Sequence, residues 1–118
     1  MDFKKNIPIY LQIMDKIKQD ISIGIMKPGE KLLSTRELSA QLKVNPNTIS
    51  RVYKELEAEE IVFTKRGMGT FVVEDDNILQ SLKYKMADEI LNKFITDIGE
   101  LNISISEAIE ELKKWEEK

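Results

Sequence analysis

Four polar residues, Asn47, Ser50, Arg51 and Lys54, lie within the segment VNPNTISRVYKEL, Val44 to Leu56. On a helix turning 100° per residue they share one face, and Ile49, Val52, Tyr53 and Leu56 share the other. The polar face offers an amide, a hydroxyl and two cations. An amide can bond adenine through two contacts, a guanidinium can do the same to guanine, and a hydroxyl tolerates either base. Each residue also has a plainer reading. An Asn near a helix start is commonly a cap, and Arg51 can pair with Glu55 one turn away. Asn45 already suits the cap, which leaves Asn47 without that duty. The choice depends on the elements that would hold this line in place.

Composition narrows the classes. The chain has 118 residues, 42% hydrophobic and 33% charged, as in globular proteins, and the length suits one domain with an appendage or two small units. No apolar run approaches the roughly 20 residues of a membrane span. The start, MDFKKNIPIY, has no apolar signal core, so a cytoplasmic address is expected. With no cysteine and no histidine, thiolate sites and the commonest general base are excluded. No nucleophile–base pair is visible, and no enzyme activity is expected. Three consecutive acids in VEDDN, Val73 to Asn77, lack the alternating ligands and turn glycine of a calcium loop. They read as a polar linker, and neither metal nor cofactor is expected.

The positioning elements follow from periodicity. Tyr10, Ile13, Met14, Ile17 and Ile21 recur at helical spacing behind Pro8, which predicts a helix from about Pro8 to Ile23 stopped by Gly24. A turn at Pro28-Gly29 follows. Ser34 and Glu37 form a capping box, with Leu38 and Leu42 facing inward and an end near Lys43. Asn45 as N-cap and Pro46 at the first helical position open the next helix. Two short helices on a tight turn are a helix-turn-helix signature. Then IVFTK and TFVV, separated by RGMG, read as a β-hairpin. From Ile78 an apolar stripe of Leu79, Leu82, Met86, Ile90 and Phe94, widened by Leu91, Ile95 and Ile98, predicts a helix closed by Gly99. Ser104 and Glu107 form a second capping box, before Ile105, Ala108, Ile109, Leu112 and Trp115.

The fold class expected is mainly α with a small β-hairpin: a winged helix-turn-helix over 1–75, then a helical hairpin over 76–118. Charge divides the same way. Residues 1–75 carry 12 basic and 11 acidic side chains, and residues 76–118 carry 6 and 10. A helix has the width of the major groove, and its first residues usually reach base edges. Arg36, Lys54, Lys65 and Arg66 can neutralise phosphates, which position a protein without specifying sequence. The glycines of RGMG have a plainer reading as hairpin residues with positive φ.

The run from Pro28 to Val73 resembles the DNA-binding domain of GntR-family bacterial transcription regulators. The resemblance is carried by Pro28-Gly29, Leu32, Ser34, Arg36, Leu38, Leu42, Val44, Thr48, Tyr53, Leu56, Gly67, Gly69, Thr70, Phe71 and Val72, with PIYLQI (Pro8 to Ile13) similar to the family's first helix. VNPNT and the short helical tail resemble the YtrA-like subfamily. The family usually has proline where this chain has Leu33, glycine where it has Glu60, and often arginines where it has Pro46 and Ser50. The resemblance implies a phosphate contact at Arg36, a groove-facing set of Asn45, Pro46, Asn47, Thr48, Ser50 and Arg51, and a wing tip at Arg66 and Gly67 entering the minor groove. With Lys54, Lys65 and Gly69 this completes the candidate DNA-binding set. Most members carry a large effector domain, for which some 43 residues leave little room. In the YtrA-like group the tail is associated with dimerisation, often in repressors.

The expected partners are therefore double-stranded DNA and a second copy of the chain, with no membrane. Leu79, Leu82, Met86, Ile90, Phe94, Ile109, Leu112 and Trp115 are the candidate dimer residues, because a lone helical hairpin cannot cover so broad a stripe. The competing reading is a winged-helix protein-interaction module without specific DNA binding, which the acidic tail and EAEE (Glu57 to Glu60) would suit. RNA binding lacks the aromatic platform that stacks bases.

Overall fold

Five helices and one two-stranded sheet follow in the order α1 Ile9–Ser22, α2 Thr35–Leu42, α3 Pro46–Ala58, β1 Val62–Lys65, β2 Gly69–Val72, α4 Asp76–Gly99 and α5 Ile105–Glu116. The computed structural model describes all 118 residues. The chain forms two compact units, residues 1–83 and 84–118. The division falls inside α4, eight positions beyond the boundary read from the sequence, and Leu82 is buried in the first unit. The expected linker is short: Asp75 accepts from the backbone N–H groups of Asn77 and Ile78, at 2.8 and 3.3 Å, and so starts α4 at once. No helix is long and apolar enough to cross a membrane.

In the first unit each helix begins where side-chain chemistry allows it. Pro8 precedes α1 without a side-chain cap. Instead the Gln12 amide ties the preceding segment to the helix, accepting from Lys4 N–H and donating to the carbonyls of Lys4 and Ile7. Ser34 and Glu37 make the capping box of α2, and both Ser34 bonds hold the Glu37 carboxyl below the usual carboxylate range. Lys43 then takes a left-handed φ of 58° and stops α2, a common way for a helix to end. Asn45 caps α3 by accepting from Asn47 N–H at 2.8 Å, with Pro46 in the first turn.

The core lies where α1 and α3 cross and where the sheet folds back. Ile13, Met14, Ile17 and Ile21 from α1 meet Ile49, Val52 and Leu56 from α3, all buried. Ile61, Val62 and Val72 close the lower edge. The Tyr53 hydroxyl donates to the Leu33 carbonyl at 2.6 Å, tying α3 to the residue before the α2 cap. Burial, then the Glu37 charge, push the Tyr53 pKa up to about 12, so it stays a donor at any physiological pH. Lys18 pairs with Glu59 at 2.9 Å and fixes α1 against the end of α3.

The hairpin pairs antiparallel in the register Val62↔Val72, Phe63↔Phe71, Thr64↔Thr70 and Lys65↔Gly69. Gly69 thus belongs to β2 and not to the turn, and the connection is Arg66, Gly67 and Met68. A third strand segment joins it: Lys31 bridges Phe71, and Leu32 N–H donates to the Thr70 carbonyl at 2.8 Å. The second unit pairs the later part of α4 with α5. Asn102, at a φ of 59°, turns the chain, and Ser104 with Glu107 caps α5 as the spacing predicted.

Candidate nucleic-acid interface

The inward set of α3 is as the periodicity predicts. Ile49, Val52 and Leu56 are fully buried and Tyr53 nearly so. With one face committed to the core, Asn47, Arg51 and Lys54 stand exposed and Ser50 and Thr48 half-exposed on the other. Asn45 spends its side chain on the cap, which keeps Asn47's amide free of that duty. Pro46 occupies the first turn and donates nothing.

Arg51 is held from two sides. Its Nε donates to Glu55 Oε1 at 3.3 Å, and its guanidinium carbon lies 3.6 Å from the centre of the Tyr10 ring. The plainer reading of Arg51, pairing with Glu55, therefore holds in the structure, yet the side chain remains 57% exposed. The Tyr10 contact was not legible from the sequence, where Tyr10 read only as an apolar face residue of α1. An aromatic close to a helix start gives no sign of which distant cation it will meet.

The remaining candidates lie on separate elements of the same unit. Arg36 is exposed on α2 and Lys54 on α3, and Arg66 is exposed at the hairpin tip. None of the three has a carboxylate partner. Gly67 takes a φ of 79°, the value that the third residue of a type II turn requires, and a side chain there would meet open space. Gly69 has a φ of 124° and lies against Lys31, whose chain a Cβ would strike. Lys31 thus adds a cation to the wing. The sequence hid it because its strand is a single bridge. Lys65 Nζ sits 5.6 and 5.2 Å from the Phe63 and Phe71 rings, which stack at 5.7 Å.

Two of the three carboxylates in the acidic run at the end of α3 are occupied. Glu57 accepts from the Thr64 hydroxyl at 2.6 Å and Glu59 from Lys18. Those carboxylates brace the wing and α1.

A model of bacterial regulatory proteins of the gntR family matches residues 9–72. The chain belongs to the GntR family. It is a DNA-binding transcription regulator of that family and not an enzyme. The HTH-type transcriptional regulator YhcF of Bacillus subtilis is 44% identical over 115 residues, 98% of this chain and 95% of the relative. The HTH-type transcriptional repressor YtrA of the same organism is 40% identical over 98% of this chain and 86% of its own length. A solved GntR family transcriptional regulator from Listeria monocytogenes superposes with a TM-score of 0.89 at 40% identity, over 95% of this chain and 98% of that one. The likeness to these GntR relatives therefore includes the tail. Family membership sets aside the reading as an interaction module without DNA binding.

The tail residues have distinct fates. Leu82 is buried within the first unit, and Leu79, Met86 and Phe94 are half-buried. Ile90 and Trp115 are each 70% exposed, and Leu91, Ile95, Ile105, Ile109 and Leu112 are also exposed. Only Ala108 is buried among residues 84–118. The groove between α4 and α5 holds about 160 Å³, below the roughly 300 Å³ of small ligand pockets. A larger apolar cavity of about 430 Å³ lies in the winged unit among α1, α2 and Tyr53. Its lining comes from α1, α2 and α3 together, a juxtaposition that helical periodicity does not encode.

Proposed function

We propose that this chain is a homodimeric repressor that reads a roughly palindromic operator. Each protomer inserts α3 into the major groove, where Asn47, Ser50 and Arg51 read base edges. Arg36, Lys54 and Lys65 bond phosphates, and Arg66 and Gly67 carry the wing tip into the minor groove. The observation behind this reading is the division of α3: one face wholly committed to the core, the other presenting an amide, a hydroxyl and two cations to solvent. The unpaired Arg36 and Arg66 flank it from other elements.

The dimer rests on the tail. On α4, apolar residues from Met86 to Ile95 span about half the helix circumference at 100° per residue, and α5 leaves much of that stripe exposed. Monomers rarely expose such patches, and a two-fold copy covers them with the same surface. Two protomers then present two α3 helices to half-sites about one turn of DNA apart. Repression is carried over from YtrA of Bacillus subtilis, a transcriptional repressor that aligns along nearly all of this chain. Selection of bound duplexes from a random pool tests the whole reading. A two-fold symmetric motif is expected, and a single asymmetric half-site, or no enriched motif, would contradict it.

A further inference from the structure

Tyr10 has no part in the reading above, yet its ring lies 3.6 Å below the Arg51 guanidinium carbon. We propose that Tyr10 is a positioning residue that sets Arg51 for base recognition, an inference that rests on the assignment of Arg51 to a base edge.

An exposed arginine on a helix surface samples many rotamers, and ordering it on DNA has an entropic cost. Two contacts limit that freedom here. Glu55, one turn further along α3, accepts from Nε and fixes the inner edge of the fork. Tyr10, on α1, covers one face of the guanidinium plane by cation–π stacking. The terminal Nη groups make no hydrogen bond within the chain, and the side chain is more than half exposed. An arginine so held can offer its two Nη groups end-on to the O6 and N7 acceptors of guanine. The side-on approach through Nε is already taken by Glu55. Tyr10 is itself well fixed, because its neighbours Ile13 and Met14 are buried and Gln12 ties down the preceding segment. The start of α1, remote from the recognition helix in sequence, thereby contributes to which base the protein prefers.

The test uses the full chain and four variants: Tyr10→Ala, Tyr10→Phe, Arg51→Ala and the Tyr10→Ala/Arg51→Ala double variant. Each is put through selection from a random duplex pool and then titrated on the wild-type site. Arg51→Ala is expected to flatten one position of the selected motif. Tyr10→Ala is expected to flatten the same position and weaken binding about three- to tenfold, the scale of a cation–π contact. Tyr10→Phe keeps the ring and is expected to bind as wild type. In the Arg51→Ala background the Tyr10→Ala loss is expected to vanish. A Tyr10→Ala loss of equal size in that background would assign Tyr10 to helix stability and overturn the inference. So would a Tyr10→Ala motif that stays sharp at the Arg51 position, or a Tyr10→Phe variant as weak as Tyr10→Ala. If Arg51→Ala itself leaves the motif unchanged, the base assignment of Arg51 fails and this inference falls with it.

Discussion

The winged unit and the tail are built from the same kinds of residue and end in opposite states. In residues 1–83, three helices and a hairpin enclose Ile13, Ile49, Val52, Leu56, Val62 and Val72 almost completely. In residues 84–118, two helices enclose only Ala108 and leave Ile90, Leu91, Ile95, Ile109, Leu112 and Trp115 in solvent. The difference is geometric. A further element, here the hairpin packed against α3 through β1, closes a core within one chain. Two helices alone leave outer faces uncovered, and the proposed second copy would cover the apolar residues on them. One part of this molecule closes a core of its own, and the other leaves an apolar face open to the proposed second copy.

The comparison can be broken most forcefully by removing the tail. A chain ending at Lys83 retains Leu82 and the whole first core, so it is expected to melt cooperatively. Operator affinity is expected to fall by about a hundredfold or more, because two linked half-site contacts become one. Filter binding or fluorescence anisotropy reads the loss, and a truncation that binds like the full chain would place the binding energy in one winged unit alone.

Within the winged unit the next largest effect separates reading from anchoring. Arg51→Ala is expected to cost about 1–3 kcal/mol on the preferred site and to relax one base position. Arg36→Ala is expected to weaken all sequences alike and to reduce the salt slope by about one unit per protomer. Titrations over a salt series, on the preferred site and on a scrambled duplex, distinguish the two. Uniform losses from both variants would remove Arg51 from base readout.

At the wing tip the expected cost is smaller and conformational. Gly67→Val meets no steric neighbour but must hold a β-branched residue at a φ of 79°. About 1–2 kcal/mol of strain is expected, with weakened DNA binding, whereas Gly67→Asn, which tolerates that region, should lose much less of either. Melting and DNA titration on both variants check this, and normal binding by Gly67→Val would take the wing out of the interface.

The smallest effect runs toward stability. Glu60 closes the turn after α3 at a φ of 63°, where the family usually has glycine. Glu60→Gly is expected to stabilise by up to about 1 kcal/mol, relief of left-handed strain outweighing the extra freedom of the unfolded chain. Chemical denaturation measures it. A destabilised variant would show that the Glu60 side chain contributes more than its backbone costs.

Much of this was legible because it is local. Capping boxes at Ser34–Glu37 and Ser104–Glu107, the Asn45–Pro46 helix start and the buried face of α3 each depend on residues within a turn or two. The existence of the hairpin followed from β-branched runs around glycines, but its register did not, and Gly69 went to the strand and not the turn. What escaped were contacts between elements distant in sequence: Tyr10 beneath Arg51, Lys31 bridging Phe71, the Tyr53 hydroxyl on Leu33, and Leu82 packing with the winged unit. Periodicity says which face of an element is apolar. It does not say which other element that face will meet.

If the exposed tail face belongs to a second copy, sedimentation equilibrium on the intact chain will show it. At micromolar concentration the wild-type chain is expected at twice the 13.7 kDa monomer mass, and Ile90→Glu/Ile109→Glu at the monomer mass with its winged unit still folded. A wild-type chain at the monomer mass, or a double variant that still sediments as a dimer, would contradict it.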